Sequence, residues 1–190
     1  MKLESFREWV FRMRGGLWTG LALFVLVIGR AREGFILAGL VLVLLGQAIR
    51  FWAAGSIDGY RSERVNAKIL VTWGPFAFVR NPLYLGNGLI GLGWSLISGP
   101  HAIPVFLAAF VVLYGFLIIP HEESFLRKQF GNAYLDYMAG TPRLIPVAIP
   151  EVTRLKGPFE KARLWKSERH SVYVTVVGTF LFILRALGVF

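Results

Sequence analysis

Five apolar segments, separated by loops of very unequal charge, constrain this chain more than any other feature of its sequence. They run from about Gly15 to Gly29, Gly34 to Ala54, Leu83 to Ser98, Ala102 to Ile119 and Val172 to Phe190. At about 1.5 Å per residue, a helix of roughly 16–20 residues reaches about 24–30 Å, close to the hydrocarbon thickness of a bilayer. The third and fourth segments are joined only by Gly99-Pro100-His101, a turn too short for anything but a helical hairpin. Counting Lys and Arg by side gives the orientation. With five spans and the N-terminus inside, eighteen of the 21 basic residues fall on one face, among them Lys2, Arg7, Arg12, Arg14, Arg61, Arg64 and Lys68. The positive-inside rule makes that face cytoplasmic. The sequence thus predicts an all-α polytopic membrane protein of about five transmembrane helices, N-terminus cytoplasmic, with cytosolic interfacial helices.

Composition excludes several classes of chemistry. The chain has no cysteine, so disulfides, thiolate nucleophiles and cysteine metal sites are ruled out. His101, His121 and His170 lack metal-ligand spacing, and no metal site is expected. The net charge of +10 could suggest nucleic acid, but with 55% hydrophobic residues the basic groups belong in loops beside anionic lipid. No removable signal peptide is read in Met1–Arg14, which no small-residue cleavage site follows.

The hairpin locates the chemistry. Its tight turn lies on the outer side, so its two open ends, Arg80 to Gly88 and Pro120 to Glu123, meet at the cytoplasmic interface. One end offers Arg80, Asn81 and Tyr84; the other offers His121, Glu122 and Glu123. Pro82 suits a first helical turn and pushes Asn81 towards an extended conformation. Arg80 and Asn81 then lie beside a positively polarised helix N-terminus, where a carboxylate or phosphate can bind. Gly86, Gly88, Gly91 and Gly93 strip one face of the third helix, which admits either a neighbouring helix or a flat ligand. Arg50 and Gln47, near the end of the second segment, either face substrate or serve packing, with Arg50 snorkelling and Gln47 bonded to a neighbouring helix. Beyond the acidic pair, Phe125, Leu126, Phe130, Tyr134 and Tyr137 or Met138 recur at near-helical spacing, an amphipathic stretch that ends at Gly140-Thr141-Pro142. It either anchors the chain at the interface or closes over the hairpin mouth.

Together, "LVTWGPFAFVRNPLYLGNG", "HEESFLRKQFGNAYLDY" and "TPRLIP" resemble the isoprenylcysteine carboxyl methyltransferases and their phospholipid methyltransferase relatives. The likeness covers about Leu70 to Pro146. It implies a catalytic unit that binds S-adenosylmethionine at the cytosolic mouth of the hairpin and takes a lipid-like acceptor from the bilayer. The cofactor-binding residues it implies are Arg80, Asn81, Pro82, Tyr84, Gly86, Glu122 and Glu123. For the acceptor, Arg143 or Arg50 would orient a carboxylate, and Glu122 or His121 would take a proton from an amine.

Asn81 stands where the isoprenylcysteine enzymes usually carry histidine, whereas "FGNAYLDYMAGTPRLIP" follows their pattern, so the acceptor stays open between carboxylate and headgroup amine. Sterol-type NADPH-dependent reductases share a related Arg-His-Pro-x-Tyr-x-Gly helix and are the alternative enzyme class; a non-catalytic membrane scaffold is the alternative outside catalysis. Three regions are expected: residues 1–69, an N-terminal transmembrane hairpin and cytosolic loop; residues 70–146, the methyltransferase-like core; and residues 147–190, a basic linker and final helix. Expected partners are the lipid acceptor and membrane lipids, with no nucleic acid, and the final helix could support a homo-oligomer.

Overall fold

A computed structural model describes residues 3–29, 33–57 and 68–189 of the chain. Lys2, Arg30, Arg32, Arg61 and Arg64, which entered the charge count, lie outside the described residues, as does Phe190. The described chain is helical throughout, with no strand among the described residues.

Charge divides the first two helices. α1 (Leu3–Arg12) is amphipathic, burying Val10 and Phe11, and α2 (Arg14–Ile28) is apolar; the two are bent by 72° at Met13. α3 (Ile36–Ser56) leads, past a short 3-10 turn at Gly74–Ala77, to α4 (Pro82–Ser98). Pro82 takes the first position of α4, where its missing N–H costs nothing, and Asn81 precedes it in a non-helical conformation (φ −127°). Gly99, at φ 111°, ends α4 in a conformation open to glycine and reverses the chain into the hairpin expected from the sequence.

The returning arm is one continuous helix, Ala102–Phe130, built of α5 (Ala102–Phe110), a π-helical stretch (Val111–Ile118) and α6 (Ile119–Phe130). Pro120 lacks the N–H that would bond four residues back, and the wider register just upstream accommodates it, with Ile119 N–H reaching Tyr114 O. Gly131 (φ 53°) then breaks the chain into α7 (Asn132–Gly140). An irregular strap, residues 141–151, follows, then the single turn α8 (Val152–Leu155) and α9 (Lys161–Ala186).

α4 is the hub. Gly39 and Gly46 of α3 face Gly93 and Gly86 of α4 in antiparallel register, a seven-residue spacing on each helix. A Cβ on Gly46 would stand 2.6 Å from Gly86 O, and one on Gly86 would stand 2.7 Å from Gly46 O, so the backbones touch directly. The opposite face of α4 packs aromatics: Gly91 meets Phe106 and Trp18, and Trp94 stacks on Phe182 of α9 at 5.2 Å.

Two helices, α3 and Ala102–Phe130, are long and apolar enough to cross a membrane, and the bent pair α1–α2 makes a third if counted as one span. α4 has only 17 residues, twelve of them buried within the bundle. α9 begins at Lys161, well inside the stretch read from sequence as a basic linker, because nothing between Lys161 and Ala186 breaks a helix. Its charged first half sets it apart from an apolar span.

Candidate active site

The chain before α4 and the strap after α7 are stitched together at the hairpin mouth. Arg80 N–H donates to Pro142 O at 2.8 Å, and the Arg80 guanidinium donates to Met138 O and Thr141 O. Its Nε donates to Glu123 Oε1 at 3.0 Å, and Arg143 donates to Glu123 Oε2 at 2.9 Å. Asn81 Nδ2 donates to Arg143 O at 3.0 Å and, more weakly, to Glu123 Oε1 at 3.4 Å. Glu123 is 1% exposed, so its charge is compensated entirely by these donors. Four of the residues singled out from sequence, Arg80, Asn81, Glu123 and Arg143, thus form one knot that holds the strap over the mouth. Burial, reinforced by Glu123, raises the pKa of Tyr134 above the ordinary phenol range; burial and Tyr134 do the same to Tyr137, whose hydroxyl donates to Phe76 O at 2.7 Å.

Glu122 has a different environment from its neighbour. It is partly exposed and accepts a hydrogen bond from Tyr84 Oη, whose ring is buried against Tyr114 of the π-helical stretch at 5.1 Å. Tyr84 and Tyr114 also line an open cavity of about 310 Å³ among α2, α3, α4, the π-helical stretch and α9. On its polar side, Arg50 binds Glu168 of α9 through two hydrogen bonds of 2.9 Å and donates a third to Asn87 Oδ1. Asn87 Nδ2 in turn donates to Tyr114 Oη at 3.0 Å. Trp18, Ile90 and Val174 supply apolar wall.

The remaining assignments separate from the knot. His121 lines a second cavity, about 470 Å³, between α1 and α6, where its ring lies 5.3 Å from that of Phe11. Pro82 is buried as the first residue of α4. Gly86 does not open a slot for a flat ligand: Gly46 and the Arg50 side chain occupy the space that a Cβ would need. Gly88 likewise abuts the Phe110 ring. Of the two roles weighed for the glycine strip, packing is the one realised. Nor does Arg50 snorkel, being buried at 8% exposure, and the amide of Gln47 is shielded with no hydrogen-bond partner, although packing would have bonded it to a neighbouring helix. Among the described residues, no group of three or more His, Cys, Asp or Glu could hold a metal ion.

Sequence reasoning missed Asn87, Tyr114, Ser167 and Glu168. Asn87 sits inside the quoted Gly-Asn-Gly motif, and Glu168 is an acid in an otherwise basic run, Lys166-Ser167-Glu168-Arg169, a signal that could have found it.

Comparison with known proteins bears on these arrangements. The family model for phospholipid methyltransferases matches residues 35–133. A cobalt-zinc-cadmium resistance protein of Cupriavidus metallidurans is 32% identical over 147 residues, covering 71% of this chain and 64% of that protein. A nickel-cobalt-cadmium resistance protein of Alcaligenes xylosoxydans is 27% identical over 190 residues, covering 94% of this chain and 76% of the relative. Protein-S-isoprenylcysteine O-methyltransferase A of Arabidopsis thaliana is 33% identical over 118 residues, and the chain spans 57% of its length. No solved structure matches the chain. The family match runs from α3 through the hairpin to the start of α7 and so contains Arg50, the Arg80–Glu123 pair and the Tyr84–Glu122 contact, and on it the chain belongs to the phospholipid methyltransferase family.

Proposed function

We propose that the chain is a multi-pass membrane methyltransferase that uses S-adenosylmethionine as methyl donor and a lipid-like molecule as acceptor, with its active site on the cytoplasmic side. The observation that carries this reading is the 310 Å³ cavity beside the hairpin mouth, with apolar walls and a polar side built of Arg50, Tyr84, Asn87 and Tyr114. Its volume lies at the lower end of small-molecule sites, and its mixture of aromatic surface with a few fixed polar groups is typical of them. The residues present fit the donor. Tyr84 and Asn87 can meet ribose or adenine polar groups, and Trp18 offers a flat face.

The sulfonium of the donor supplies an already activated methyl group, so the protein needs chiefly to align and partly dehydrate the attacking atom. Within that task the two acids divide. Glu123, with Arg80, Asn81 and Arg143, holds the strap and so the shape of the mouth; Glu122, oriented by Tyr84, is the carboxylate left to face a ligand. Pro82 sets the start of α4, and Gly86 brings α3 close enough to deliver Arg50. For a carboxylate acceptor, Arg143 is the better orienting cation: its side chain is 43% exposed, whereas Arg50 already grips Glu168. For an amine, Glu122 or the neighbouring His121 would accept the proton. Five spans with the N-terminus inside remain our topology, with α4 and α9 crossing as members of the bundle and α1 lying at the interface with Leu3, Trp9 and Met13 outward. Residues 70–146 form the core of the catalytic unit, completed by α3.

Membranes carrying the protein, incubated with methyl-labelled S-adenosylmethionine and extracted, test the reading. Label is expected in a lipid fraction above that of membranes lacking the protein. Label confined to water-soluble products, or no transfer, would overturn it.

A further inference from the structure

Between α7 and α9 the chain makes a loop whose ends are tied and whose tip is bare. The Arg154 guanidinium donates to Thr141 Oγ1 at 3.2 Å, so residues 141–154 close on themselves as an Ω-loop. Its feet are fixed to the bundle. Arg80 N–H donates to Pro142 O, Leu144 packs against the main apolar core, and α8 lies on the 3-10 turn Gly74–Ala77. Just beyond, Trp73 Nε1 donates to Pro158 O at 3.2 Å and Glu160 N–H donates to Gly55 O at 3.0 Å. Gly55 is next to the last residue of α3, and Arg80 stands two residues before α4. The loop is therefore fastened where α3 ends and α4 begins, at one end of the bundle.

The tip between those feet is apolar. Ile145, Val147, Ile149 and Val152 are 72%, 79%, 90% and 68% exposed. A single exposed apolar residue needs no explanation, but a cluster on one loop marks an interaction surface. Pro146 and Pro150 bar the loop from hiding these side chains in a helix or in a strand added to a sheet. Among the described residues, no backbone N–H of residues 144–149 donates a backbone hydrogen bond. Such a backbone is excluded from the hydrocarbon core, where nothing would satisfy it. The headgroup layer suits it, because water reaches the backbone there while apolar side chains dip into the acyl boundary. Charge points the same way. Residues 141–156 carry Arg143, Arg154 and Lys156 against one acid, Glu151. The Arg143 side chain is 43% exposed and Lys156 is exposed, which suits the anionic surface of a cytoplasmic leaflet.

We propose that the tip of this loop, residues 145–149, is inserted into the headgroup layer of the cytoplasmic leaflet and anchors the hairpin mouth to the membrane surface. The assignment is independent of the methyl donor; it rests on the reading above that puts the mouth at the cytoplasmic interface. The mouth, held by the Arg80–Glu123 knot, is thereby kept at the depth of lipid headgroups, the level at which either acceptor considered above presents its reacting group.

The chain has no cysteine, so Ile149→Cys creates a single labelling site for an environment-sensitive fluorophore. Ile149 is 90% exposed, and the substitution leaves the packing of the fold untouched. Leu44→Cys, on the 68% exposed outer face of α3, reports on the span itself. The full-length labelled variants are reconstituted in bilayer nanodiscs containing phosphatidylserine, with nitroxide quenchers placed either at the headgroup or deep in the acyl chain. At Ile149 the emission should shift to the blue of the free dye in buffer and be quenched more strongly by the headgroup nitroxide. At Leu44 the deep nitroxide should quench more strongly. Water-like, unquenched emission at Ile149, with Leu44 quenched as expected, overturns the anchor and leaves the membrane reading intact. Blue-shifted emission at Ile149 that neither nitroxide quenches means that protein, such as a second copy of this chain, covers the tip, and likewise overturns the anchor. A Leu44 label that no lipid quenches removes the membrane reading and this assignment with it.

Discussion

Replacing Glu123 by Gln should loosen the strap before it touches anything else. Glu123 is 1% exposed and compensates two guanidinium groups of different burial: the Arg80 side chain is 8% exposed and that of Arg143 is 43%. Breaking a fully buried pair costs about 3–5 kcal/mol, while a solvent-screened pair is worth about 0–1 kcal/mol. Arg143 therefore adds little. Arg80 also keeps its bonds to Met138 O and Thr141 O, and the Gln carbonyl can still accept from Arg80 Nε, which brings the expected loss to about 2–3 kcal/mol. Arg143→Ala, by the same reasoning, should cost less than about 1 kcal/mol. Unfolding in mixed micelles titrated with a denaturing detergent and followed by tryptophan fluorescence would measure both. Trypsin cleavage after Arg143, in the strap itself, supplies a local reading: Glu123→Gln should accelerate it by about 30- to 150-fold if the strap opens on its own. Glu123→Gln within about 0.5 kcal/mol of wild type, with no faster cleavage, would refute the claim that this carboxylate holds the mouth shut.

Other perturbations probe different parts of the account. Gly86→Ala puts a methyl 2.5 Å from Arg50 Cγ and 2.7 Å from Gly46 O, so it should cost about 1–3 kcal/mol of stability; full stability with abolished S-adenosylhomocysteine binding would return this glycine to a ligand slot. Tyr84→Phe should lower stability by about 1 kcal/mol through loss of the bond to Glu122, whereas Glu122→Gln should alter stability less and turnover more; the reverse order in paired unfolding and activity assays would contradict the division between the acids. The pKa values of Tyr134 and Tyr137 are raised above the ordinary 10.0, so the fold favours their neutral forms. Their contribution is complete below that pH and is lost as pH climbs through the raised values, so alkaline stability should fall, and less steeply in Tyr137→Phe. Base-labile label in the extracted lipid would identify carboxyl methylation, and base-stable headgroup label would identify N-methylation.

The hairpin was legible because its signals are local. Gly99-Pro100-His101 leaves no other connection, and Pro82 and Gly131 punctuate the helices where sequence logic places them. The meeting of Arg80 with Glu123, 43 residues on, followed from that hairpin alone. The role of the glycines did not, because a bare helix face suits a partner helix and a ligand equally; only the matching spacing of Gly39 and Gly46 settles it, and that spacing has meaning only once α3 and α4 are known to be antiparallel neighbours. Glu168 was hidden for a related reason. A charge-rich stretch reads as a linker, yet Lys161 to His170 forms the opening turns of α9, and one carboxylate there turns inward to a guanidinium 118 residues earlier in the chain. Long-range ion pairs leave no periodic trace in sequence.

One titration tests the methyl-donor site most directly: purified protein in detergent with S-adenosylhomocysteine, and separately with NADPH. A methyl-donor site requires saturable one-to-one binding of S-adenosylhomocysteine, lost or weakened in Glu122→Gln, and no binding of NADPH. Binding of NADPH with none of S-adenosylhomocysteine would contradict it, and would give the cavity beside the hairpin mouth to reductase chemistry instead.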